Sequence, residues 1–115
     1  MYNFSEERPW GGFENLLEAE TYKVKRLVVK PGQRLSYQLH HKRQEHWFIV
    51  SGTGIAIIDD EEKKIKPGDS IDVAIEQKHR IANTGDEDLI FIEVQVGTYF
   101  GEDDIERLSD DYQRT

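Results

Sequence analysis

The feature that most constrains this chain is its punctuation. Pro31-Gly32, Gly52-Thr53-Gly54, Pro67-Gly68 and Thr84-Gly85 cut it into short segments, several of which alternate apolar and polar residues. Proline fixes one backbone dihedral and glycine reaches angles that other residues avoid, so such pairs end strands and begin turns. Short alternating segments closed at intervals of roughly 8 to 12 residues point to an all-β fold rather than to βαβ units. With 115 residues there is room for one core and not for a second.

Tyr22 to Lys30 reads as a strand, with Tyr22, Val24, Arg26 and Val28 on one face and Lys23, Lys25, Leu27 and Val29 on the other. Neither face is cleanly apolar, so the pattern leaves open which one is inside. Leu35, Tyr37 and Leu39 alternate with Ser36, Gln38 and His40. After a turn over residues 41–44, Glu45, Trp47 and Ile49 alternate with His46, Phe48 and Val50. Ile55 to Ile58, the acidic turn 59–62 and Lys63 to Lys66 form a hairpin, and Ser70 to Val73 is a further strand. His79, Ile81 and Asn83 share a face. Leu89, Phe91, Glu93 and Gln95 oppose the fully apolar Ile90, Ile92, Val94 and Val96, and alternation alone does not decide whether Glu93 and Gln95 reach the mouth of the core or a solvated face. Upstream, the N-terminal arm 1–21 carries turn residues around Trp10, which reads as a plug over one end of the core or, with Arg8, as a border of a substrate mouth. Downstream, residues 97–115 form an acidic tail in which Asp103 or Asp104 is expected to cap a short helix with Ile105 and Leu108 on its apolar side.

Gln38, His40 and Glu45 carry the chemistry. Residues two apart on a strand share a face, so Gln38 and His40 point to one centre, and Glu45 returns to it after the turn. Imidazole nitrogen with carboxylate or amide oxygen suits a divalent metal. His79 is the best of the other histidines for a fourth donor. A lone histidine is more often structural; the matched spacing of several donors is what favours a site.

Gly32, His40, Glu45 and Gly52 resemble the first motif of the cupin barrels, G-x5-H-x-H-x4-E-x6-G, with Gln38 in place of its first His. Gly68, His79 and Asn83 resemble the second, G-x5-P-x-G-x2-H-x3-N, with Ala74 at its Pro and Glu76 at its Gly, which puts the shape of that loop in question. More narrowly, the stretches 8–11, 23–32, 38–47, 92–95 and 101–105 are similar to the isomerase domain of type II mannose-6-phosphate isomerases, the most specific part being Q-x-H-H-x-R-x-E-H-W at 38–47. In that family Gln at the first ligand position is usual.

The resemblance implies a single cupin barrel (a double-stranded β-helix or jelly roll) over residues 22–96, within one domain of residues 1–115 standing without the nucleotidyltransferase domain that often precedes it. It implies an aldose–ketose isomerase that interconverts mannose 6-phosphate and fructose 6-phosphate through an enediolate. Gln38, His40, Glu45 and His79 would hold a divalent metal ion, with zinc the first choice and manganese, iron, cobalt or nickel open. Arg43 matches the family's arginine and would be catalytic or substrate-orienting. Lys42 stands where a third His is frequent, leaving Glu93 and His41 as candidates for the proton carrier. Arg26, Lys25 and Arg80 form the pool for a phosphate clamp, and Gln95 joins Glu93 at the substrate. Two other readings remain: a metal-dependent cupin acting on another substrate, and a non-catalytic sugar-binding or regulatory module.

Composition narrows the partners. A net charge of −8 repels nucleic-acid backbones at long range, so a phosphorylated ligand needs a local basic cluster. No run approaches the roughly 20 apolar residues of a membrane span, and the first residues show no basic head followed by an apolar stretch; the expected setting is the cytoplasm, without membrane or nucleic-acid partners. The absence of cysteine rules out disulfides and thiolate ligands. A homodimer is expected, with the second copy covering a sheet edge or an apolar face such as Ile90, Ile92 and Val94.

Overall fold

The computed structural model describes residues 2–112. Strands β1 (Glu6–Arg8), β2 (Gly11–Glu18), β3 (Tyr22–Val29), β5 (Arg43–Ser51), β8 (Ser70–Val73) and β10 (Leu89–Gly97) build a six-stranded sheet in the order β1-β2-β3-β10-β5-β8. Strands β4 (Tyr37–Leu39), β6 (Gly54–Ile58), β7 (Glu61–Ile65), β9 (His79–Asn83) and β11 (Glu106–Ser109) build a five-stranded sheet in the order β11-β4-β9-β6-β7. Every pairing is antiparallel. This is a double-stranded β-helix.

Alternation sets what lies between the sheets. Along β5 the buried residues are Arg43, Glu45, Trp47 and Ile49, and the intervening Gln44, His46, Phe48 and Val50 face outward. On β10 the buried set is Leu89, Phe91, Glu93 and Gln95. The odd face of β3 is inward, burying Lys25, Leu27 and Val29, which answers the parity question left by its sequence. Trp47, Ile49, Ile81, Leu89 and Phe91 form the apolar centre with Val29, Ala56 and Val73. Burying side chains of this size contributes about 1.5–3 kcal/mol each.

Three expectations change. The two sheets face each other without closing into a barrel: β1 and β8 end one sheet, β7 and β11 end the other. The chain changes sheets through bent segments around Pro31-Gly32, Pro67-Gly68 and residues 74–78, which do not continue a ladder; a proline cannot donate to one. Second, no helix occurs among the described residues, and the tail expected to hold one supplies β11, which pairs with β4. Asp104 does cap, but it caps the loop before β5, where its carboxylate accepts the N–H groups of His41 and Lys42 at 3.0 Å each. Third, the segment read as an N-terminal arm extends the six-stranded sheet as β1 and β2, with Trp10 and Phe13 in the core. The loop 74–78, which lacks the Pro and Gly of the cupin motif, keeps a glycine-like bend: Glu76 adopts φ 64°, and its N–H donates to the His40 carbonyl at 2.7 Å.

Gly97 is where β10 presses on the start of β5. It stands opposite Arg43, and a Cβ there would lie 2.2 Å from the Lys42 carbonyl oxygen and 2.8 Å from the Arg43 Cα. Backbone on both sides cannot yield cheaply. Gly97→Ala is expected to cost about 1–3 kcal/mol, the usual penalty for overpacking, read as a lowered midpoint in thermal or urea unfolding.

Candidate metal centre

His40 follows β4, Glu45 lies on β5 and His79 opens β9, so three neighbouring segments each bring one donor. One ligand atom from each of these buried residues lies within 4.8 Å of the other two. The His40 Nε2 is 3.3 Å and the His79 Nε2 3.8 Å from the Glu45 carboxylate. Both rings are held from behind: His40 Nδ1 donates to the Asp104 carbonyl at 2.5 Å and His79 Nδ1 to the Gln77 carbonyl at 2.9 Å. A carbonyl can only accept, so both rings carry hydrogen on Nδ1 and turn Nε2 into the site. Such backbone anchoring is usual behind metal-bound histidines.

Electrostatics test the fit. Burial lowers the His40 pKa to about 4, with Glu45 only partly opposing it. Neutral His40 therefore presents a lone pair to the Glu45 carboxylate, two acceptors face to face. Arg43 relieves this contact, with Nε donating to Glu45 at 3.1 Å and Nη2 to His40 Nε2 at 3.1 Å. A divalent cation among two imidazoles and a carboxylate removes the same repulsion, and this donor set suits zinc, manganese, iron, cobalt or nickel alike. The residues fit a divalent ion.

Glu93 stands beside the donors. The Trp47 indole N–H donates to Glu45 at 2.9 Å and to Glu93 at 3.2 Å, and the Gln95 amide donates to Glu93 at 2.7 Å. Burial first, and then the Glu45 charge, push the Glu93 carboxyl up to about 8. Burial also opposes ionisation of Glu45, but His79, the hydrogen bond from Glu93 and Arg43 outweigh it and hold that carboxyl well below its ordinary range. The two acids divide their roles, one ionised and one protonated, as paired carboxyls do.

The remaining residues singled out in the sequence fall into two groups. Gln38, Lys25, Arg43, Arg80 and Glu93 line one cavity of about 60 Å³ with the three donors. Gln38 stands opposite His79 in the β4–β9 ladder, and its amide nitrogen donates to the Ser36 carbonyl at 3.3 Å, leaving the oxygen as the atom to offer a metal. The guanidinium of Arg80 is engaged by the Leu35 and Ser109 carbonyls, tying β9 to the tail. Outside the cavity, Arg26 lies on the opposite face of β3 and pairs with Glu14 at 2.5 Å. His41 is exposed between Glu76 and Glu106, whose hydrogen bonds, that of Glu76 first, raise its pKa. Gln95 is fully buried behind Glu93, which it orients. Arg43, placed by the sequence in the turn 41–44, is buried as the first residue of β5. Two residues at the site had no chemical assignment from the sequence. Trp47 supplies the N–H shared by both carboxyls, and Glu102 approaches Arg8, Lys25 and Arg43 from the tail.

Residues 3–110 match the family described as Mannose-6-phosphate isomerase C-terminal. The chain belongs to that family. Among curated relatives it is 48% identical over 108 residues to the alginate biosynthesis protein AlgA of Pseudomonas aeruginosa, covering 94% of this chain and 22% of that protein. It is 45% identical over 107 residues to a mannose-1-phosphate guanylyltransferase of Salmonella montevideo, covering 93% of this chain and 23% of the relative. The chain thus spans under a quarter of these relatives' length. The capsular polysaccharide assembling protein CapF of Staphylococcus aureus superposes with a TM-score of 0.80 at 25% identity, over 95% of this chain and 33% of that one. A double-stranded β-helix protein of Klebsiella pneumoniae superposes with a TM-score of 0.78 at 22% identity, over 90% and 89% of the two chains, and shares the fold.

In this mannose-6-phosphate isomerase C-terminal domain, the stretch 38–47 delivers Gln38, His40, Arg43, Glu45 and Trp47 to one cavity. His79→Ala and His40→Ala are each expected to abolish stoichiometric divalent metal in elemental analysis of purified protein while keeping the far-ultraviolet β signature, because apolar packing between the sheets, rather than an ion, holds the fold. Full metal content in either variant would remove that histidine from the site.

Proposed function

We propose that this domain is a metal-dependent sugar-phosphate isomerase interconverting mannose 6-phosphate and fructose 6-phosphate through an enediolate. The observation that carries the reading is a buried Glu93, its pKa raised by burial and by the Glu45 charge, adjoining a two-histidine, one-carboxylate cluster. Moving a carbonyl between C1 and C2 requires one group that removes a proton from carbon and returns it to the neighbouring carbon. A divalent ion, when bound, would supply charge stabilisation for the developing enediolate oxygens. Glu93 is the proton carrier in this proposal: with a pKa near neutrality it populates both forms at pH 7 to 8, so its ionised form takes the C2 proton and its acid form delivers it to C1. His41 is set aside for this role because it lies outside the cavity. Arg43 orients the sugar oxygens and holds Glu45 and His40 in place.

Glu93→Gln separates stability from chemistry. Folded Glu93 is raised to about 8 from an ordinary 4.5, so between those values the folded state binds the extra proton, and its contribution to stability falls as pH rises. Gln is neutral throughout. In metal-free protein the variant should gain on wild type from pH 5 to pH 8, by up to about 1.4 kcal/mol per pH unit, read by urea unfolding. In metal-loaded protein it should lose on the order of a hundredfold or more in turnover, followed by NMR of mannose 6-phosphate converting to fructose 6-phosphate. Unchanged turnover would remove Glu93 as the proton carrier, and no conversion by metal-loaded wild type would remove the reaction.

We also infer that a second copy covers the outer face of the six-stranded sheet. Phe48, Val50, Val96, Tyr22 and Leu17 are exposed there around Ile92 and Val94, while on the same face Arg26 pairs with Glu14 and His46 hydrogen-bonds Asp72. Two molecules of net charge −8 repel across their charged surfaces, which leaves this face as the contact that association favours. Light scattering should give a dimer that Phe48→Lys dissociates; a monomeric wild type at high concentration would count against it.

A further inference from the structure

Three cations meet one carboxylate at the mouth of the cavity. Glu102 lies 3.1 Å from Lys25, 3.8 Å from Arg8 and 4.0 Å from Arg43. The cations lie deeper than their partner: side-chain exposure is 4% for Lys25, 7% for Arg43 and 24% for Arg8, against 47% for Glu102. Lys25 and Arg8 also rest against the Phe13 ring, at 4.1 and 5.2 Å from its centre, so the cluster is held by the core of the sheet. A buried ammonium needs an anion near it, and Glu102 is the anion it has.

That anion fits poorly. Arg43 Nη1 is buried with no hydrogen-bond partner, and at 4.0 Å the Glu102 carboxylate is too far to accept from it. Arg8 and Arg43 have nearer carboxylates in Glu6 at 2.8 Å and Glu45 at 3.1 Å, so toward the mouth one negative charge faces Lys25 and the free edges of both guanidiniums; a phosphate monoester offers three oxygens and about two negative charges. The cavity behind Glu102, at about 60 Å³, is also small beside the roughly 300–1,000 Å³ of ordinary ligand pockets. A sugar-sized ligand can enter only if something at the mouth moves.

We propose that Arg8, Lys25 and Arg43 form a phosphate-monoester subsite that Glu102 occupies in the ligand-free protein, so that a phosphorylated ligand binds by displacing this carboxylate. The proposal rests on the sugar-phosphate reading above and adds to it where the phosphate sits and what closes the site. Glu102 precedes Asp104, whose carboxylate and carbonyl hold the loop 40–42 and the His40 ring. Residue 102 therefore swings on a tail pinned two residues further on, and its displacement leaves the histidine anchored. Arg43 joins the two halves: one edge of its guanidinium faces His40 and Glu45, and Nη1 faces the subsite.

The test is calorimetric binding of inorganic phosphate to the full chain at pH 7.5 with a chelator present, so that no ion among the histidines can hold the phosphate. Glu102→Gln removes the competing charge and should bind phosphate about tenfold or more tighter than wild type. Adding Lys25→Met to that variant should abolish the gain, and Arg8→Gln, at the more open edge, serves where melting curves show that Lys25→Met has not folded. Equal or weaker binding by Glu102→Gln, no detectable binding by it, or a gain that survives loss of the cations would overturn the proposal. Because no turnover is measured, tighter phosphate binding without isomerisation retains the subsite and rejects the reaction; isomerisation with no effect of Glu102→Gln does the reverse.

Discussion

Glu45 is an anion in the middle of a β-sheet, and much of the surrounding structure answers that fact. Removing a carboxylate from water costs several kcal/mol unless donors replace its hydration. Trp47, two residues along the same strand, and Arg43, two residues back, supply those donors. Both are on the inner face because a strand repeats every two residues. The β5–β10 register then sets Gln95 opposite Glu45 and Glu93 opposite Trp47, which brings a second carboxyl within reach of the same indole N–H. Two acids this close cannot both be charged at modest cost. The proton that one of them keeps follows from the ladder as much as from chemistry.

The same register divides the interior into two ends. Along β5 the inner residues run from Arg43 and Glu45 to Trp47 and Ile49; along the antiparallel β10 they run from Gln95 and Glu93 to Phe91 and Leu89. On β3, Lys25 is followed by Leu27 and Val29, and on β9, His79 by Ile81. On each of these strands the inward titratable groups sit at the same end of the sandwich, so charge is concentrated there while the rest of the inner face is apolar apart from the buried Asn83. The tail closes the polar end with Glu102 against the cations and Asp104 against the loop 40–42.

How far the sequence disclosed this differs from residue to residue. His40, Glu45 and His79 were legible because motif spacing and strand alternation agree on where they point. The burial of Arg43 was not legible, since a residue between Lys42 and Gln44 reads as part of a turn. The tail was misread because an acidic residue followed by Ile105 and Leu108 satisfies a helix start as well as it does a loop. The hydrogen bonds that decide the matter come from His41 and Lys42, more than sixty positions away. No local pattern contains that information.

Strand β10 shows why a buried site defeats the simplest rule of sequence reading. Its uniformly apolar set, Ile90, Ile92, Val94 and Val96, faces outward, while the set containing Glu93 and Gln95 faces the core. An alternation argument assigns the more apolar face to the interior, and it fails where an interior needs carboxyl and amide groups for chemistry and obtains its stability from neighbouring strands. Strand β3 has the same ambiguity, with Lys25 inside and Val24 outside. The two strands pair with each other, so their outer apolar residues lie side by side, Val94 opposite Val24 and Val96 opposite Tyr22. An inward polar face and an outward apolar face on the same pair of strands are two sides of one arrangement: a sheet that spends its inner face on a site retains an outer face suited to burial by association.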